Sequence, residues 1–294
     1  MSPVTRRSVL QRGLLTFASC AVLVPSSGCS LSKYRIWGKH HEPQAIPIPK
    51  TASIEDITDR INESRSRLTC WRSTEVRIKA DGEGILEPTL TAKICVQSPR
   101  NLRLTASSPL GPEVDFGSNP ERFWLWIKRQ EPKVVLTGSH DGEGRQELMP
   151  IPFSPSWLME ALGVIPIQTH GLKMEQDETN PNLVRLISAL SDGGQATRRI
   201  MVVDRQRSQI TQHSLYDDND RLVASAEMSD FRNDNGFVLP HSIELNWPET
   251  KTILKLKIVG KIEVNPSVPE TTWKLPNYPD YRLVDLDHEP AIRR

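Results

Sequence analysis

Residues 101–111 read N-L-R-L-T-A-S-S-P-L-G. Leu102, Leu104 and Ala106 alternate with Arg103, Thr105 and Ser107, the period-two pattern of a strand with one buried face. Ser108, Pro109 and Gly111 then supply the first, second and fourth positions of a type I turn. That leaves Leu110 third in the turn and pointing outward. Turn tips ordinarily carry small or polar residues, because an exposed isobutyl group gains nothing from folding. Either Leu110 folds back onto the core or it is placed to enter something outside the protein.

The same alternation extends to both sides. Upstream, Val76 and Ile78 alternate with Glu75, Arg77 and Lys79, the chain turns at 81–84, and Leu86, Leu90, Ala92, Ile94 and Val96 resume the pattern. Downstream, strands are expected at 122–127 and 133–137, then at about 183–190, 197–204, 208–216, 221–229, 237–246 and 251–264. Two helices interrupt them. Ser53 caps the first, at about 53–67, where Ile54, Ile57, Ile61 and Leu68 recur at helical spacing. Ser154 as cap, Pro155 at the first helical position and Gly163 past the end delimit the second. The fold class is therefore mainly β with a few helices. A single antiparallel sheet of about eleven strands is too large to stay flat and must curl into a barrel or half-barrel, with the helices covering its concave side.

The ends carry different signals. Residues 1–28 combine a basic start, an apolar run at 13–24 and small residues before Cys29, the pattern of an export signal. Arg6 and Arg7 within T-R-R-S-V-L-Q resemble a twin-arginine signal, with the general secretory route as the alternative. Ser26-Ser27-Gly28-Cys29 resembles a bacterial lipobox, which makes Cys29 the expected lipid-attachment site; the other reading is an ordinary cleaved signal with an incidental cysteine. Ser30 is not the aspartate that retains many such proteins at the inner membrane, which points to the outer one. Residues 29–52 are aperiodic and proline-bearing and read as a flexible tether, with His40 and His41 as a solvated pair. The main domain is placed at 53–275, and 276–294 is a C-terminal tail, a strap or a frayed end.

Charge and motifs exclude several functions. Thirty-seven basic against 36 acidic residues give a net charge of +1 and no electrostatic footprint for nucleic acid. No nucleophile elbow, phosphate loop or CxxC pair is present, so no enzyme activity, cofactor or metal is expected. Asp217–Asp220 has turn chemistry, and Asp115 and Arg122 are placed to hold a loop by an ion pair. Of the four cysteines, Cys70 and Cys95 remain for a disulfide, but the strand register sets their sulfurs on opposite faces unless a bulge intervenes. Trp124, Trp126, Trp157 and Met159 join an apolar surplus that is either core or the lining of a lipid-sized cavity.

Three segments in order carry a family resemblance: N-L-R-L-T-A-S-S-P-L-G (101–111), M-P-I-P-F-S-P-S-W-L-M-E-A-L-G (149–163), and V-L-P-H-S-I-E-L with I-L-K-L-K-I (238–245 and 253–258). Together they resemble the LolA/LolB group of outer-membrane lipoprotein carriers and receptors, closest to LolB, over about 53–265. The stretch 115–128 departs from that pattern. The resemblance implies an eleven-stranded half-barrel with a helical lid over a cavity for acyl chains of lipoproteins or other lipids. The residues expected to line it are Val76, Ile78, Leu90, Ile94, Leu102 and Leu104 on the early strands. Phe123, Leu125, Trp157, Leu158 and Leu162 complete it. Leu110 matches the protruding leucine that inserts into the membrane, and a soluble periplasmic carrier is the implied protein partner. The alternative is an envelope sensor or protein-binding lipoprotein of the same fold, as in RseB-like proteins.

Overall fold

The computed structural model describes residues 45–82, 85–86, 89–140, 155–190 and 196–288. The expected export signal with Arg6 and Arg7, the expected lipid-attachment site Cys29, most of the stretch expected to be a tether, the M-P-I-P segment and the expected cap Ser154 lie outside the described residues. No helix among the described residues is long and apolar enough to cross a membrane.

Helix α1 (Ile54–Arg65) starts where its cap predicts. The Ser53 hydroxyl accepts from the Asp56 amide at 3.1 Å, and the Asp56 carboxylate accepts from the Ser53 amide at 2.9 Å. Ile57 and Ile61 bury its apolar stripe. Helix α2 (Pro155–Ala161) ends at Gly163, whose φ of +80° is the left-handed conformation that releases the chain from a helix.

The strands form one 16-stranded sheet among the described residues. In chain order they are β1 (Cys70–Gly82), β2 (Ile85–Leu86), β3 (Leu90–Gln97), β4 (Asn101–Ser108), β5 (Gly111–Ser118), β6 (Arg122–Ile127), β7 (Val134–Ser139) and β8 (Lys173–Gln176). Then follow β9 (Leu183–Ala189), β10 (Arg198–Asp204), β11 (Gln209–Tyr216), β12 (Leu222–Asp234), β13 (Phe237–Trp247), β14 (Thr252–Ile258), β15 (Glu263–Val264) and β16 (Arg282–Asp285). The spatial order is β16-β7-β6-β5-β4-β3-β1-β14-β13-β12-β11-β10-β9-β8, with β2 and β15 also on β1. All neighbours are antiparallel except β16, which runs parallel to β7. The two meanders close on each other where β1 meets β14, Val76 facing Ile258 and Ile78 facing Leu256.

Five strands exceed the eleven expected: β2, β5, β8, β15 and β16. Four of them have four residues or fewer and show too few side chains for a period. β5 is different: G-P-E-V-D-F-G-S hides its alternation because both of its faces are covered. Gly117 is part of the reason, since a Cβ there would lie 2.0 Å from the Trp124 ring.

A bulge between Ser73 and Val76 corrects the cysteine geometry. It flips the start of β1, so that Cys70 shares the outer face with Cys95 while Val76 and Ile78 stay on the inner one. Both are buried free thiols, packed together under Trp273.

Candidate functional site

The β4–β5 hairpin presents one residue. Ser108 pairs with Gly111, so Pro109 and Leu110 form a two-residue loop. Gly111 takes φ +111°, a value that an L side chain rarely adopts. The Ser108 hydroxyl accepts from the Leu110 amide at 3.1 Å and donates to the Glu113 carboxylate at 2.7 Å. Glu113 accepts in turn from Arg129 at 3.1 Å, and these partners hold its carboxyl below the usual range, the Ser108 hydrogen bond most of all. On this braced base Leu110 is 80% exposed, the highest value for a large apolar side chain among the described residues. It does not fold back onto the core.

The inner face of the sheet, beneath α1 and α2, is filled. All eleven residues expected to line an acyl-chain cavity, from Val76 to Leu162, are buried in one continuous hydrophobic cluster. α2 lays Trp157, Leu158 and Leu162 into that cluster, and Trp157 meets Trp247 edge to face with ring centroids 6.3 Å apart. Trp71 fastens the end of α2 by donating from its indole to the Leu162 carbonyl at 3.2 Å. A cavity beside Leu162, lined also by Ile61, Arg65, Gly163, Ile210 and Met228, measures about 30 Å³. That is the share of one water molecule in the liquid, too small for an alkyl chain. The expected hollow is thus occupied by its own lining.

A polar cluster interrupts this core. Arg65 follows Ile57 and Ile61 on the buried stripe of α1 and donates to the carbonyls of Glu160 and Ile165 at 3.1 and 3.2 Å. Arg199 of β10 pairs with the Glu160 carboxylate of α2 and donates to the Ser188 hydroxyl at 3.1 Å. His213 of β11 sits between Met201 and Ala226 in the sheet, 0% exposed, and neither ring nitrogen has a hydrogen-bond partner. Burial drives its pKa well below the usual histidine value, and Arg65 and Arg199 add to the effect. Burial also brings Arg65 down to about 10, against the pull of Glu160. The sequence signals were present: a cation at a core position of an amphipathic helix, and a histidine in register with Leu215 on an apolar strand face.

The outer face is built differently. Trp124 and Trp126, which the sequence left as either core or cavity lining, are core on this side, because they alternate with Phe123 and Leu125 along β6. The segment from Trp273 onward lies across them as a strap. Tyr278 stacks on Trp126 at 4.7 Å, the Tyr281 hydroxyl donates to the Lys128 carbonyl at 2.8 Å, and β16 closes the sheet edge. Asp115 and Arg122 do not pair. Asp115 takes Arg103 at 2.5 Å and the Tyr278 hydroxyl, while Arg122 reaches Asp285 of β16 at 3.6 Å. Between strap and sheet runs an open cleft of about 740 Å³, with Trp126, Tyr278 and Tyr281 on one side and Ser107, Pro112 and Val114 at the base of the Leu110 hairpin. No sequence motif marked it. Among the described residues no three metal-ligating side chains group together.

No protein-family model matches the chain, and no curated protein sequence matches it. Solved structures do. A LolA superfamily protein from Nitrosomonas europaea superposes with a TM-score of 0.52 at 11% identity, covering 76% of this chain and 98% of that one. A domain from Vibrio parahaemolyticus described as an outer membrane lipoprotein-sorting protein gives 0.51 at 11%, covering 75% and 97%. A DUF1329 family protein from Desulfovibrio piger gives 0.50 at 12%, covering 75% and 95%. At these identities the likeness is one of fold: a single open, curled sheet of the LolA type.

Proposed function

We propose that this protein is a lipid-anchored component of a bacterial cell envelope that binds acyl chains of lipoproteins or other lipids and hands them to a membrane, in the manner of a LolB-like receptor. The observation that carries the reading is Leu110, held at the tip of a braced hairpin on a LolA-type sheet and left almost wholly in solvent. Burying that side chain in lipid contributes about 2 kcal/mol, too little to anchor a protein and enough to bias where cargo is released. The filled inner face is then the unloaded state. α2 has only seven residues, and an acyl chain takes the place of Trp157, Leu158 and Leu162 against the sheet when the helix lifts. The exchange swaps one buried apolar surface for another and so has a small net free energy. Cys29 carries the anchor, and the outer membrane, facing the periplasm, is its site.

Leu110→Glu tests the reading. The variant should fold as the parent does and lose delivery of an acylated cargo to liposomes; undiminished delivery sinks the functional role of the hairpin. Mass spectrometry of ligands extracted from the Cys29→Ala protein should find acyl lipids. The open cleft on the outer face favours a second reading, a lipoprotein that binds a protein partner there, and it predicts a bound polypeptide and no lipid in the same extract.

A further inference from the structure

The polar cluster under the helices holds more positive charge than it neutralises. Arg65 and Arg199 bring two cations to the inner face, and among the described residues Glu160 supplies the one carboxylate that meets them there. Arg65 spends its hydrogen bonds on backbone carbonyls, which carry no net charge to offset it. His213 adds two buried polar nitrogens without a partner. An orphaned, fully buried imidazole is costly, because each unpaired nitrogen forfeits its hydration. The contrast with His241 is direct. That ring is equally buried, yet its nitrogens reach Asp234 at 2.9 Å and the Ile258 carbonyl at 3.3 Å. Arg65 also lines the small cavity of about 30 Å³, whose lining does not include Arg199 or His213. The Arg199–Glu160 pair reaches the surface, with side chains 13% and 28% exposed, so the cluster runs from solvent to the middle of the core.

We infer that Arg65, Arg199 and His213 form the head-group site of the inner face, and that its ligand is a single-chain amphiphile ending in a carboxylate, a fatty acid. This rests on the acyl-chain reading above and narrows it. One surplus positive charge matches a monoanion. The two guanidiniums supply forked donors suited to a carboxylate, and the imidazole, neutral before binding, donates from whichever nitrogen carries its proton. The tail then follows the apolar stripe under α2. A larger head group would have to part α1 from α2, which Arg65 ties together.

The test uses the full chain, delipidated, with palmitate, methyl palmitate and lysophosphatidylglycerol titrated below their micelle concentrations. Palmitate should bind at least 10-fold more tightly than either of the others. Arg199→Gln should reduce the preference over methyl palmitate to within about twofold. His213→Phe should do the same if it folds. Because that variant replaces a core residue, nitrogen NMR of His213 in the parent protein gives an independent readout: its ring resonances should move with palmitate and stay fixed with the ester. Equal binding of palmitate and its ester overturns the head-group site and leaves acyl binding standing. Lysophosphatidylglycerol binding as tightly as palmitate overturns the carboxylate assignment. Failure of all three to bind overturns the acyl-chain reading itself.

Discussion

The two faces of this sheet solve the same problem in opposite ways. The inner face is covered by helices whose apolar side chains join those of the strands in one buried cluster, and the cavity beside Arg65 measures about 30 Å³. The outer face is covered by a strap held through aromatic stacking and a few hydrogen bonds, and it leaves a cleft of about 740 Å³. A helix lays a stripe of side chains down every turn, so it fills a surface. An extended strap offers a side chain only where its backbone allows, so it bridges a surface and leaves gaps. Function on the inner face therefore requires a movement, and function on the outer face does not.

The sharpest way to break this comparison is to cut into both faces. Phe116 is 1% exposed in the inner cluster, and Phe116→Ala should cost about 3–5 kcal/mol in urea unfolding. Tyr281→Ala, on the half-buried strap, should cost only about 1 kcal/mol, being one backbone hydrogen bond and an edge contact to Trp126. Equal losses would mean that the strap is as much a part of the core as the helices are.

The next effect lies where the outer face is tight. Gly117→Ala places a methyl group 2.0 Å from the Trp124 ring, which must shift beneath Arg103, 5.3 Å from the ring centre. We expect a loss of about 1–3 kcal/mol and a changed near-ultraviolet tryptophan spectrum. An unaltered spectrum would show that Trp124 is not fixed.

Acid should act through the inner face. The folded pKa of His213 lies below its unfolded value of about 6.5, so below that pH the unfolded chain takes up a proton that the folded one refuses. Stability is therefore fully present above about pH 6.5 and falls as the pH drops beneath it, by at most about 1.4 kcal/mol per pH unit. Urea midpoints measured from pH 7.5 to 5.5 give the slope, and His213→Phe should abolish it. An equal slope in the variant would place the acid sensitivity elsewhere. The smallest effect on stability belongs to Leu110→Glu. An exposed turn residue should move the unfolding free energy by less than about 0.5 kcal/mol, even as delivery is lost.

Much of the architecture could be read from local rules. The Ser53 cap, the glycine that ends α2 and the turn that exposes Leu110 each depend on neighbours within four residues, and each stands where those rules place it. The cysteine faces could not be read, because one bulge at 73–76 inverts every residue before it and depends on how β1 meets β3. Which face takes Trp124 and Trp126 could not be read, because an aromatic residue looks apolar whichever face covers it; only the strap, more than 140 residues later, makes the outer face a second core. The filled inner face was equally hidden, since a list of apolar residues is the same whether they line a void or close it.

The amino-acid sequence alone determined the alternation, the caps and the turns, and with them a curled antiparallel sheet with helices on one side and a leucine held out at a hairpin tip. Those features follow from backbone geometry and from partners close in the chain. The tertiary structure decided which surfaces meet: that the inner face is full, that the outer face holds the cleft, and that Arg65, Glu160, Arg199 and His213 come together under α2. These residues come from four separate elements, and only packing across the sheet could bring half-buried charge and a buried, unpartnered imidazole into one place.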